Sequence, residues 1–159
     1  MAAAVTSNVT VNQETVQTLN IRQEIAIAAP IEIAWESVLA QAGPENVLMD
    51  GTPYPFKLEE WPGGRWYRDL GKGVGHLWGH VQVIKPPKLL EICGPLMMSY
   101  PAVNFVQYRL TSEGTNTTRL QLTHRAMGLI EEAHRDGMPK GWPHWLERMK
   151  AMAEKRASK

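Results

Sequence analysis

Apolar and polar residues alternate with period two from Leu19. Leu19, Ile21, Ile25 and Ile27 fall on one side, and Asn20, Arg22 and Glu24 on the other. That spacing predicts a half-buried strand. Ala29-Pro30 ends it, and residues 31–41 change to helical spacing with Ala34, Trp35, Val38 and Leu39 on one stripe. Proline suits a first helical turn, and Gly43-Pro44 stops the helix. Residues 45–55 hold several breakers and read as loop or irregular helix. Strands are then predicted over 56–61, 65–70, 74–84, 89–93, 103–111 and 117–126. Between them lie Pro62-Gly63-Gly64, Gly71-Lys72-Gly73, Pro86-Pro87, a connection opened by Gly94-Pro95, and a hairpin loop at Ser112-Glu113-Gly114-Thr115-Asn116.

After Gly128 the spacing turns helical, but Pro139, Gly141 and Pro143 interrupt it. The last helix is therefore expected over about 143–156, some 21 Å long. Trp142, Trp145, Leu146, Met149, Met152 and Ala153 share its apolar side. Short turns imply antiparallel neighbours, and such a sheet needs a cover on one face. The expected class is α+β: a curved antiparallel sheet of about six or seven strands wrapped on a long C-terminal helix. Residues 1–18 are small and polar and read as a flexible arm before one domain over 19–159.

Composition narrows the function classes. The 159 residues carry a formal net charge of +1. That gives no sign of a nucleic-acid partner. The start of the chain lacks the pattern of a secretory signal, and no apolar run is long enough to span a bilayer. The single cysteine, Cys93, fits a reducing compartment, so a cytoplasmic location is expected. Asn8-Val9-Thr10 and Asn116-Thr117-Thr118 then read as chance sequons. Six Trp and eight Met stand against only two Phe. Trp and Met fill irregular spaces and line adaptable surfaces, which suits a ligand cavity or an awkwardly shaped core.

Several charged or polar strings have bland readings. His76 and His80 would chelate a metal on a helix, but in a strand they stand about 13 Å apart. Their alternation with Leu77, Gly79 and Val81 points both away from the core. Gly71-Lys72-Gly73-Val74-Gly75 lacks phosphate-loop spacing and has no helix after it. Glu131, Glu132, His134, Arg135 and Asp136 read as a solvated helix face, with acid–base chemistry conceivable only at a cavity rim. Arg65, Arg68 and Arg109 are expected to pair with Glu59, Glu60 and Asp69 on neighbouring strands. Cys93 has no basic partner in sequence and reads as an inert thiol.

A resemblance runs through Ala29-Pro30-Ile31-Glu32 with Ala34-Trp35 and Val38, Gly63-Gly64, Gly79-His80-Val81 and Pro86-Pro87-Lys88-Leu89-Leu90. It continues through Thr118-Arg119-Leu120-Gln121-Leu122-Thr123-His124 and Gly141-Trp142 with Leu146 and Met149. In that order and spacing, over about 19–155, the chain resembles the START-like (SRPBCC) superfamily, the helix-grip or Bet v-type fold. More narrowly it resembles the family named for the C-terminal domain of activators of the Hsp-90 ATPase. The resemblance implies a cavity between sheet and helix for an apolar or aromatic molecule. It implies no single activity. The chaperone role belongs to longer relatives with a further N-terminal domain.

Strand alternation puts Val81 and Val83, then Val106, Tyr108 and Leu110, then Leu120, Leu122 and His124 on inward faces. The expected ligand-binding set is Trp66, Val81, Tyr108, Leu122, His124, Trp142, Trp145 and Met149. His124 or the Tyr108 hydroxyl would supply a polar anchor. No cofactor and no metal are expected. A ligand of about 20 heavy atoms at about −0.3 kcal/mol each would bind in the tens of micromolar. The first reading is a non-enzymatic binder of a small apolar or aromatic molecule. A cyclase or lyase using His124 with Tyr108 is the second, and a protein-interaction domain or homodimer the third.

Overall fold

The computed structural model describes residues 8–159. Of the arm expected over 1–18, residues 1–7 lie outside the described residues. Residues 8–16 belong to no strand or helix, and pairing begins two residues earlier than the alternation suggests. The elements are β1 (Gln17–Ile27), α1 (Ile31–Ala42), β2 (Lys57–Leu58), β3 (Arg65–Gly71), β4 (Val74–Lys85), β5 (Leu89–Gly94), β6 (Ala102–Ser112), β7 (Thr118–Gly128) and α2 (Glu132–Ala157). The seven strands form one antiparallel sheet in the order β1-β7-β6-β5-β4-β3-β2. Its concave face is covered by the two helices, the α+β helix-grip arrangement expected from the sequence.

β1 shows why the alternation was readable. It lies at the sheet edge and pairs with β7 from Gln17↔Gly128 to Ile27↔Thr118 without a break. A strand with one face on the core and one in water must keep period two. The same holds in β6 and β7, where Val106, Tyr108, Leu110, Leu120, Leu122 and His124 are all buried.

β4 departs from strict alternation, because two irregularities reset its facing. Trp66 pairs with Gly79 but Tyr67 with Leu77, which leaves Trp78 as an extra residue. Trp78 turns into the core instead of away from it. A second shift at Gln82 pairs Val81 with Ile92, Val83 with Glu91 and Ile84 with Leu90. Ile92 and Leu90 are core residues, whereas Glu91 bonds Gln107 on the far face. Val83 therefore faces outward, against the expectation that it would join Val81, and Ile84 takes the inward place. A bulge inserts one residue and so inverts the alternation beyond it.

Two boundaries also differ. The strand expected over 56–61 is reduced to Lys57–Leu58. Glu59 N–H still donates to Arg65 O, but the Arg65 backbone N–H and guanidinium go to the Glu59 carboxylate, and the Glu59 carbonyl accepts instead from Trp61 N–H, so the ladder ends there. α2 runs 26 residues and begins at Glu132, eleven residues before its predicted start. Its length is about 39 Å. Pro139 and Pro143 lie inside it. Met138, Trp142, Leu146, Met149 and Ala153 are buried on one stripe, and that burial outweighs the missing proline donors.

Polar links fasten α2. Arg156 reaches Ser37 and Glu45, Lys150 reaches Ala26 O, and Glu154 accepts Ala28 N–H. Among the described residues no helix is long and apolar enough to cross a membrane.

Candidate ligand cavity

Between α2 and the β3–β4 end of the sheet lies a cavity of about 200 Å³. Its floor is Trp66, Trp78 and Leu96, each buried. Met138, Trp142 and Trp145 descend from α2. Tyr54, Val47 and Leu48 come from the loop between α1 and β2. The solvent side is formed by His144, Arg148, Met49 and Leu48, which are exposed or half-buried.

The aromatic wall is interlocked. Phe56 lies 5.1 Å from Trp66 and 4.6 Å from Trp78, and Trp66 and Trp78 are 5.2 Å apart at 77°. Trp145 bridges Trp66 and Trp142 at 6.5 and 5.9 Å, edge to face. Each such contact contributes about 0.5–1.5 kcal/mol beyond area burial, so the wall is held in shape without a ligand. Gly79 and Gly94 permit the close approach of β4 and β5 beneath it. A Cβ on Gly94 would stand 2.4 Å from the Gly79 Cα.

Three of the wall's four indole N–H groups are committed. Trp66 Nε1 donates to Ala42 O at 2.6 Å, Trp78 Nε1 to His76 Nδ1 at 3.2 Å, and Trp142 Nε1 to His124 Nδ1 at 3.0 Å. Asn46 accepts from Gln41 and donates to Tyr54 O. Trp145 Nε1 has no hydrogen-bond partner but is sealed beside the Tyr108 hydroxyl, which is likewise unpaired. Burial pushes the Tyr108 hydroxyl well above the ordinary tyrosine range, with the neighbouring Trp145 indole opposing it. Arg148 donates to the carbonyls of Val47 and Leu48 and pins the covering loop to α2.

Of the residues singled out in the sequence, Trp66, Trp142 and Trp145 line the cavity. Val81, Tyr108, Leu122, His124 and Met149 lie behind its wall in the core. His124 is fully buried, and both its nitrogens are used: Nδ1 accepts from Trp142 and Nε2 meets Asn104 Oδ1 at 2.8 Å. Burial lowers its pKa from 6.5 to about 4, so the ring is neutral at pH 7. The lining residues missed by pattern reading have identifiable causes. The bulge hides Trp78, and the prolines that interrupt the helical spacing hide Met138. Tyr54, Leu48 and Met49 sit in a loop whose packing has no periodic signal.

The remaining strings resolve simply. His76 turns toward Trp78 and the cavity end of the sheet, against expectation, while His80 is exposed. Among the described residues no group of three or more His, Cys, Asp or Glu could hold a metal ion. Arg65 pairs with Glu59 as expected, but Asp69 pairs with Lys57. Arg68 stacks on the Tyr54 ring at 3.4 Å instead of meeting a carboxylate. Cys93 is half-buried with His80 beside it in register. Glu131, Glu132 and Asp136 are exposed, away from the cavity.

The family model described as "Activator of Hsp90 ATPase homolog 1-like protein" matches residues 28–154. Among curated proteins there is no match. The chain is similar in structure to an uncharacterised protein from Rhizobium leguminosarum, at TM-score 0.67 and 17% identity, covering 91% of this chain and 99% of that one. A protein of unknown function from Staphylococcus aureus matches at TM-score 0.66 and 12% identity, covering 91% and 98%. A protein from Rhizobium loti matches at TM-score 0.68 and 19% identity, covering 87% and 99%. Likeness at such identities establishes the fold.

Proposed function

The chain belongs to the family of Activator of Hsp90 ATPase homolog 1-like proteins, within the START-like superfamily, and on that premise we propose that it binds a small apolar or aromatic molecule between sheet and α2. One observation carries this reading: the aromatic wall lines open space that reaches solvent on one side, although its rings are locked together without a ligand. Preformed concave apolar sites with few polar groups are the usual form of small-molecule pockets.

The size sets the ligand. A dry cavity near 150 Å³ accepts benzene, so about 200 Å³ accommodates one substituted ring of about ten heavy atoms. That is half the size assumed from the sequence. At about −0.5 kcal/mol per atom, between the limits for tiny and drug-sized ligands, binding is about −5 kcal/mol, a Kd on the order of 0.2 mM. The cyclase or lyase reading is less well supported. Its proposed base, His124, has no free nitrogen, and Tyr108 is sealed from the cavity.

Gly141 provides the test. It lines the cavity from α2, and a Cβ there meets nothing within 4 Å. Titration with benzyl alcohol should quench tryptophan fluorescence saturably in the native protein and in Gly141→Ala. Gly141→Leu should remain folded and lose the saturable signal. Absence of saturation at millimolar ligand in the native protein, or undiminished binding by Gly141→Leu, overturns the proposal.

A further inference from the structure

The charges around the cavity narrow the ligand class further. No Asp or Glu lines it, and its only ionisable side chains, apart from the Tyr54 phenol, are His144 and Arg148. Both lie toward solvent: His144 is exposed and Arg148 half-buried. Inside, each indole N–H is either bonded or sealed, and Asn46 is satisfied at both ends. A polar group carried to the floor would lose water and find no partner, a cost of a few kcal/mol. A ligand's polar group therefore stays at the mouth.

There it meets Arg148. Two of the five guanidinium N–H groups are used on the Val47 and Leu48 carbonyls. The others remain for a ligand acceptor, and among the described residues no acidic side chain lies within ion-pair distance of Arg148. The exposed Asp50 of the covering loop feels the guanidinium without pairing with it. A cationic ligand would be repelled by the same group. Resting on the binding reading above, we infer that the cavity selects small aromatic acids, ring inward between Trp66, Trp78, Trp142 and Trp145, carboxylate outward on Arg148 with His144 beside it.

Phenylacetate and its neutral isostere phenylacetamide separate this inference from the broader one. Both carry ten heavy atoms and should enter the native cavity. Charge-assisted contact at a half-exposed guanidinium should make the acid bind about tenfold tighter, with the preference shrinking at high salt. In Arg148→Met the loop contact is lost too, so affinities for both ligands are free to fall together. The acid-to-amide ratio cancels that effect and should drop to near one. Equal affinity in the native protein, or a ratio unchanged in Arg148→Met, overturns the acid selectivity and leaves the binding reading standing. Binding of neither compound at millimolar concentration overturns both.

Discussion

Trp142 donates its indole N–H to Nδ1 of His124 at 3.0 Å, and that bond decides the histidine's tautomer. With Nδ1 accepting, Nε2 carries the proton and donates to Asn104 Oδ1. Asn104 in turn donates to Pro95 O and to the Met98 sulfur. The chain of bonds ties α2 to β7, β6 and the connection after β5 behind the cavity wall.

Replacing Trp142 by phenylalanine keeps a ring but leaves a buried imidazole lone pair unpaired. Trp142→Phe should cost about 1–3 kcal/mol in urea unfolding. Tyr108→Phe makes the opposite case. The hydroxyl it removes is buried and already without a partner, so stability should hold within about 0.5 kcal/mol or rise. A Tyr108→Phe loss matching that of Trp142→Phe would show that the hydroxyl is bonded in solution.

His124 makes stability depend on pH. Burial takes its pKa from 6.5 to about 4 in the folded protein, so the unfolded chain binds the proton first. Stability from this group is complete above about pH 6.5. It declines as pH falls toward 4, by about 3 kcal/mol in total. Urea midpoints between pH 7 and 5, above the main carboxylate range, should fall in the native protein and change much less in His124→Gln. A flat native profile over that window refutes the neutral buried histidine.

Gly94→Ala probes the floor. The new Cβ would stand 2.4 Å from the Gly79 Cα and 2.6 Å from the Trp78 carbonyl oxygen, both backbone atoms that cannot swing aside. A loss of about 2–4 kcal/mol is expected. Benzyl alcohol affinity should fall with it, because the displaced segment carries Trp78. Calorimetric unfolding of Gly94→Ala within about 0.5 kcal/mol of the native protein would contradict the close β4–β5 approach.

Pro139 is exposed inside α2, where it removes a donor and crowds the preceding turn. Pro139→Ala should raise stability by about 1–3 kcal/mol, visible as a higher thermal midpoint. A lower midpoint would mean that the proline sets a bend that the packing of Met138 and Trp142 requires.

Legibility followed burial. β1, β6 and β7 bury one face regularly, so hydrophobic spacing reported both their existence and the facing of residues such as Tyr108 and His124. β4 did not, because the bulges at Trp78 and Gln82 are set by its neighbours' registers, and no local signal marks them. The start of α2 was obscured for a related reason. Proline costs act locally, whereas the stripe from Met138 to Ala153 that overrides them is stabilised only by the sheet and α1.

Sequence by itself determined the class of the protein: period-two strands joined by short turns, a first helix stopped by glycine, and an apolar helix left to cover the sheet. These follow from local steric preferences and from the need to bury one face. Only the tertiary structure decided where empty space lies. Which tryptophans surround it, which nitrogens are already bonded, and that its charged mouth is Arg148 and His144 depend on side chains from distant segments meeting. Shape and satisfaction are properties of that meeting, and no residue carries them alone.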